Sequence, residues 1–334
     1  MTAPEPYYQD EAVTLYQGDS LEILPQLDIE ANALLTDPPY FKVKQDEWDN
    51  QWDKASEFLS WMGDFLDRAK PLLTANASVW VFASPAMTSS IERLIGERFR
   101  VLNSIRWVKE QGWHQKAEIA ALRSYLTPWE GIVFAEQEVD TENLAFRSLR
   151  REIFAGVYEY FTEAANANGL KHGQISGQMG YDSALYVRWA EGSSLPKESD
   201  YGRLQALLGT AALPLSYAEL SAWNERLLAE YEERRRPFNV KTRTHSTDVW
   251  GFPTVPPGPG KHPCEKPQSM LRHMIETSSR PGDLILDPFA GSGSTLDAAR
   301  QSGRRVIGIE KDAHWCAYIA RRLSQEVLDL GALA

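Results

Sequence analysis

The sequence predicts an α/β fold: a doubly wound, mostly parallel sheet interrupted by a helical insert. Three observations carry the prediction. Short runs rich in β-branched and aromatic residues recur at 13–16, 33–36, 78–83, 104–108 and 131–135. Stretches with apolar residues at helical spacing alternate with strands, and near the C-terminus an apolar strand runs through a Gly-rich turn into a helix. Such alternation argues for parallel strands covered on both faces. A chain of 334 residues with 43% apolar content can bury that core and a smaller appended domain.

Taken in order, the strand at 13–16 leads into Gly18-Asp19-Ser20, and the strand at 33–36 ends on Asp37-Pro38-Pro39-Tyr40. Phe58, Trp61, Met62, Phe65, Leu66, Ala69, Leu72 and Leu73 then fall on one helical face, a core stripe. The segment 137–245 is helical by pattern, at 152–167, 175–179, 185–189, 201–208 and 217–236. Residues 253–263, with five prolines and two glycines, read as a stiff linker. A strand at 283–287, a helix at 296–301, a strand at 305–310 and a last helix carrying Cys316, Ile319, Ala320, Leu323 and Val327 complete the chain. The expected organisation is one domain in two halves, 1–136 and 246–334, split by the insert 137–245.

Two motifs carry chemistry. In Asp37-Pro38-Pro39-Tyr40 the prolines fix φ and lack donors, so the turn presents carbonyl acceptors in a set direction. Asp37 adds an acceptor and Tyr40 a flat face for stacking, equipment for gripping the exocyclic amine of a nucleobase. In Asp287-Pro288-Phe289-Ala290-Gly291-Ser292-Gly293-Ser294-Thr295 a glycine turn lets a ligand approach the backbone. The strand at 305–310 ends in Glu310, placed to accept from the hydroxyls of a ribose. The third glycine of a dinucleotide fingerprint is missing, and no Gly-Lys-Ser or Gly-Lys-Thr follows as in a phosphate loop. If the strands before Asp37 and Asp287 are neighbours where strand order reverses, both motifs face one cleft.

Together these motifs closely resemble those of the DNA amino-methyltransferases that use S-adenosylmethionine, with Asp-Pro-Pro-Tyr first and Phe-x-Gly-x-Gly last, the β arrangement of that family. Gly18-Asp19-Ser20 resembles the element that reaches the cofactor's adenine. His262-Pro263-x-x-Lys266-Pro267 resembles the element before the cofactor strand, with Cys264-Glu265 where Thr-Gln is usual. The resemblance covers roughly 12–135 and 245–325. It implies a Rossmann-like sheet with circularly permuted motif order, and a soluble, cytoplasmic, site-specific enzyme of the phage or restriction-modification type acting on double-stranded DNA. Catalysis is expected from Asp37, Pro38, Pro39 and Tyr40, and cofactor binding from Asp19, Asp37, Lys266, Asp287, Phe289, Gly291, Gly293 and Glu310. Asp at the first motif position usually accompanies methylation of adenine N6, Ser that of cytosine N4; cytosine is the alternative target. An inert DNA-binding regulator is the alternative of another class, opposed by the intact set Asp37, Tyr40, Gly291, Gly293 and Glu310. Glutamine methylation of proteins is disfavoured because those enzymes prefer Asn at the first position.

Helical inserts in this family usually read the target, and 169–192 resembles a repressor-like helix-turn-helix. Its Gln174, Ser176, Gln178, Ser183 and Arg188 are of types that reach base edges or phosphates. The net charge of −11 is concentrated in residues 1–60, which hold thirteen acids against three lysines. Arg234, Arg235, Arg236, Lys241 and Arg243 form a run without an acid, which reads either as a phosphate track or as a solvated helix end. Trp107 is either a second stacking face for the base or core. The loop 41–54, with Trp48 and Trp52, is either a closing flap or a surface excursion. Cys264 and Cys316 have no metal-ligand spacing and read as reduced thiols. The spacing of His114, His172, His245 and His314 supports no catalytic role. No long apolar span suggests a membrane segment, and subunit number stays open, a homodimer included.

Overall fold

The structure, a computed structural model, describes residues 4–43, 50–109, 122–137, 145–181, 184–241, 245–256, 258 and 262–324. The chain forms two compact units, Met1–Val139 with Arg236–Ala334, and Asp140–Arg235. In chain order the first unit opens with β1 (Tyr8–Gln9), β2 (Val13–Gln17), α1 (Ser20–Ile23), β3 (Ala31–Thr36), α2 (Ala55–Ala69), β4 (Leu73–Ala83), α3 (Thr88–Gly96), β5 (Arg100–Val108) and β6 (Trp129–Glu136). The second unit contains α4 (Ala145–Ile153), α5 (Ala155–Ala167), α6 (His172–Gln178), α7 (Leu185–Ala190), α8 (Glu198–Leu208) and α9 (Tyr217–Arg234). The first unit resumes with β7 (Val249–Trp250), α10 (Gln268–Ser278), β8 (Leu284–Asp287), α11 (Ser294–Gln301), β9 (Arg305–Glu310) and α12 (Ala313–Ser324).

Among the described residues nine strands form one sheet, ordered β1-β2-β9-β8-β3-β4-β6-β5-β7. The five strands from β2 to β4 are parallel, β6 runs antiparallel to both its neighbours, and β1 adds an antiparallel edge. Both faces are buried, which is why the strands read as continuous apolar runs. In β4, Trp80 and Phe82 belong to one core and Val79 and Val81 to the other; in β3, Ala33 and Leu35 oppose Leu34 in the same way. Each such buried Leu, Val or Phe contributes about 1.5–3 kcal/mol.

The expected strands are present, most of them longer than their apolar cores. The stripe expected to continue through Leu73 ends as helix at Ala69: Pro71 supplies no backbone donor, so Leu72 lies in a short 3-10 turn and Leu73 opens β4. The helix expected to reach Arg236 stops at Arg234, because Pro237 pushes the residue before it out of the helical region. The helix expected at 152–167 is two, meeting at the buried Phe154. Val327 lies outside the described residues.

In the second unit, α7 packs against α5 and α6. The buried Tyr186 ties them: its hydroxyl donates to the Phe161 carbonyl at 2.7 Å and its backbone N–H to Ser176 Oγ at 2.9 Å. Positive φ at Gly169 and Gly180 lets the chain reverse on either side of α6.

Candidate active site

β3 pairs in parallel with β8, Leu34 opposite Leu286, so Asp37 and Asp287 emerge together at the carboxyl edge of the sheet. Glu310 ends β9, the next strand outward. All three line one cleft of about 730 Å³, inside the roughly 300–1,000 Å³ typical of ligand sites. Asp19, Pro38, Pro39, Tyr40, Lys266, Phe289 and Gly291 share its walls.

The half expected to take the cofactor is built from backbone geometry. Glu310 accepts from the Gly291 N–H at 2.7 Å and the Asp312 N–H at 2.8 Å, which fixes the carboxylate and leaves lone pairs for further donors. Burial raises its pKa above the ordinary carboxylate range. Asp287 is 2% exposed, and burial pushes its pKa up to about 7 against the Phe289 N–H and Thr295 hydroxyl that favour its charge. Gly291 has φ +51°, and its bare backbone faces His262 across the cleft wall. Asp19 caps α1 through the Leu21 N–H at 2.9 Å and pairs with Lys311 at 3.0 Å. Phe289 is wedged against Trp61 and Phe65, with ring centroids 5.5 and 5.0 Å apart.

Gly293, expected at the cofactor, does not line the cleft. It turns into α11 at φ +73°, and a Cβ there would come within 2.9 Å of Ile319 on α12, so the position is glycine for packing.

Around Asp37 the structure assembles a cluster that the sequence reading had not joined. Lys266, 6% exposed and expected at the cofactor, instead pairs with Asp37 Oδ2 and stands 3.5 Å from Glu130 Oε2. Glu130, on β6, also pairs with Lys109 and accepts from the Tyr40 hydroxyl at 3.3 Å. The Lys266 ammonium lies 5.4 Å from the centre of the Tyr40 ring and 4.9 Å from that of Phe82. Partial burial of Asp37 and Glu130 and full burial of Lys266 disfavour charge on all three ionisable groups. Lys266 and Lys109 outweigh it at Glu130, whose pKa lies below the ordinary range, while Asp37, beside Glu130 as well as Lys266, stays above it. At Lys266 the two carboxylates outweigh burial and keep the ammonium charged. Asp37 Oδ1 is left buried and without a hydrogen-bond partner among the described residues. Glu130 and Lys109 were missed in the sequence because a strand Glu and a Lys after a strand carry no motif; only the β5–β6 pairing brings them together.

Several residues expected to touch DNA already have partners within the protein. Trp107 lines the cleft but is 2% exposed, its indole N–H donating to the Phe252 carbonyl at 2.7 Å; it is a locked wall of the core. The basic run forms no bare track. Arg234 pairs with Glu152 and Glu230, Arg235 with Glu232, and Lys241 with Glu276. Arg236 pairs with Glu136 at 2.8 Å and lies over the rings of Phe134 and Phe238. Glu230 and Glu232 come from the preceding turn of α9, whereas Glu152, Glu136 and Glu276 arrive from other elements. Arg243 lies outside the described residues, as do Ser183 and Trp48. Trp52 is in the core against Phe58 and Trp61 rather than over the cleft. Ser176 is buried under Tyr186, whereas Gln174, Gln178 and Arg188 are exposed.

A sheet with two motifs converging on one cleft in this order defines a nucleic-acid amino-methyltransferase, and the comparisons place it. The family model described as DNA methylase, covering N6 and N4 methyltransferases, matches residues 31–321, and the chain belongs to that family. It is accordingly an S-adenosylmethionine-dependent DNA methyltransferase. The type II methyltransferase M2.LlaDCHI of Lactococcus lactis subsp. cremoris is 24% identical, over 96% of this chain and 93% of its own length. The DNA adenine methyltransferase YhdJ of Escherichia coli K12 is 24% identical, over 95% and 84%. Among solved structures, the cytosine-N4-specific PvuII methyltransferase shares the fold with a TM-score of 0.58 at 13% identity, over 100% of this chain and 94% of that one. M1.HpyAVI, solved with S-adenosylmethionine, has a TM-score of 0.51 at 19% identity, over 94% and 100%.

Proposed function

We propose that the enzyme methylates the N6 amine of adenine in double-stranded DNA, at sites read by the unit Asp140–Arg235. The observation that carries the chemistry is Asp37: one carboxylate oxygen is held by Lys266 and the other is a buried acceptor without a donor. Such an atom is costly to bury and is satisfied when an amine N–H enters the cleft. The Asp-Pro-Pro-Tyr motif and the relative YhdJ, a DNA adenine methyltransferase, support adenine as the target.

The residues fit S-adenosylmethionine. Glu310 is pinned with free lone pairs toward the cleft, Gly291 offers bare left-handed backbone, and Asp287 supplies a buried carboxylate for a cationic group. The cofactor supplies a methyl group on a positively charged sulfur. The adenine amine is a poor nucleophile because its lone pair is delocalised into the ring. Asp37 Oδ1 and the Pro38 carbonyl accept its two hydrogens and localise that pair, so the nitrogen takes the methyl in line and the released proton passes toward the Asp37 carboxylate. Reaching the cleft requires the base to leave the duplex, which costs a few kcal/mol. Stacking on Tyr40, worth about 1–3 kcal/mol per base, offsets part of it. A DNA substrate supports a cytoplasmic location. Sequencing modified bases in DNA from expressing cells tests the whole reading: N6-methyladenine in a defined sequence is expected, and N4-methylcytosine or unmodified DNA overturns it.

Asp287 gives cofactor binding a signed pH dependence. With its pKa near 7 the free enzyme holds a proton that a cationic ligand expels, so affinity rises with pH, by up to about tenfold per unit below pH 7, and levels off above. The same shift makes the ligand-free fold lose stability as pH rises from the ordinary Asp range to 7. Calorimetry at pH 6 to 8 in buffers of different ionisation enthalpy reads the released proton; binding with no proton release removes Asp287 from the cofactor site.

The exposed residues of α6 and α7 carry the recognition reading. Replacing Gln178 or Arg188 with Ala is expected to relax or change the methylated sequence with cofactor affinity unchanged. Genome-wide methylation mapping checks it; an unaltered motif with lower protein yield would make the helical unit a scaffold.

A further inference from the structure

Glu130 stands half-buried beside the reacting carboxylate, yet both its oxygens are already taken by the protein. One is held by Lys109, and the other accepts from the Tyr40 hydroxyl at 3.3 Å and faces Lys266 at 3.5 Å. It therefore has no reason to touch substrate, in contrast to Asp37, whose Oδ1 is unpartnered. What Glu130 does hold are two neighbours that set Asp37: the ammonium that binds Oδ2 and the ring that closes the motif. Its second negative charge also matters. Asp37 and Glu130 against Lys266 and Lys109 make a charge-balanced cluster, and a carboxylate next to Asp37 keeps Asp37 more basic than Lys266 alone would leave it.

We propose that Glu130 is a positioning residue for methyl transfer: by sharing Lys266 with Asp37 and anchoring Tyr40, it aims Asp37 Oδ1 at the amine and preserves its capacity to take the proton. The inference rests on Asp37 being the amine acceptor. The groups facing the pair are Lys266 and Cys264 before α10, Lys109 after β5, Tyr40 after β3 and Asp287 at the end of β8.

The sign of the pH effect follows. Glu130→Gln keeps the shape but removes the like charge, so Lys266 acts on Asp37 alone, and the pKa of Asp37 falls. The acid limb of the single-turnover rate should move to lower pH, on the order of one unit. The plateau rate should drop about 10- to 100-fold from the loosened aim and the weaker acceptor. S-adenosylmethionine affinity, measured by calorimetry, should stay within about twofold, and Glu130→Asp should recover part of the rate. A purely structural Glu130 would give Glu130→Gln a lower melting temperature with an unmoved acid limb, which overturns the proposal, as does a wild-type rate and profile. Should Glu130→Gln fail to fold, Lys109→Met, which releases one Glu130 oxygen and leaves Lys266 in place, must still shift the acid limb; an unmoved limb there also overturns it. Methyl transfer by Asp37→Ala would instead sink the reading of Asp37 itself, whatever Glu130 does.

Discussion

Asp37→Ala will abolish methyl transfer, with a loss of about 10²–10⁴-fold or more, while S-adenosylmethionine binds nearly as before. The argument is geometric. Asp37 contributes the buried unpartnered oxygen at the end of β3, whereas Asp287 and Glu310 end β8 and β9, where the proposed cofactor site lies. Removing an acceptor that both localises the nitrogen lone pair and takes its proton removes a general-base contribution of that size. The variant also frees Lys266 from one partner but leaves it Glu130, so the cation stays compensated and the protein folds. A single-turnover methylation assay with calorimetry for the cofactor separates the effects. An Asp37→Ala enzyme that still methylates DNA at a comparable rate would refute the mechanism.

Lys266→Met should be the most destabilising single change in the cleft. Lysine and methionine have similar lengths, so packing against Tyr40 and Phe82 is largely kept, but two buried carboxylates lose the cation between them. Leaving buried charge uncompensated typically costs about 3–5 kcal/mol. The sign with pH reverses that of an ordinary ion pair. Without Lys266, Asp37 and Glu130 raise each other's pKa, so the variant is least stable at neutral pH and recovers stability as pH falls and one of them takes up a proton. Denaturant unfolding at pH 5 and pH 8 checks both the size and the sign. An unfolding midpoint equal to the wild type at pH 8 would show that the cluster is not electrostatically coupled.

Much of the active site was legible because its determinants are local. Asp37 through Tyr40 needs only a strand end and two prolines to become a rigid acceptor edge. Gly291 needs only its own left-handed φ. Glu310 needs only to end a strand. Backbone chemistry of this kind is written in consecutive residues, and so was the alternation that predicted the sheet. The contacts that local sequence does not show have the opposite character. Gly293 belongs to a helix–helix contact with Ile319, and Trp107 is fixed by a carbonyl at Phe252. The arginines at 234–236 look exposed in sequence and are compensated by Glu152, Glu230, Glu232 and Glu136 once the chain folds.

The sequence by itself therefore determined the fold class, the family and the two motifs that line the cleft. Tertiary structure alone decided that β3 lies beside β8, bringing those motifs to one cleft, and that Lys266 serves Asp37 and Glu130. The reason is range. Conformational preference and motif chemistry act over a few residues, whereas Asp37 and Lys266 are separated by 229 positions, and charge pairing at contact distance depends on which strands become neighbours.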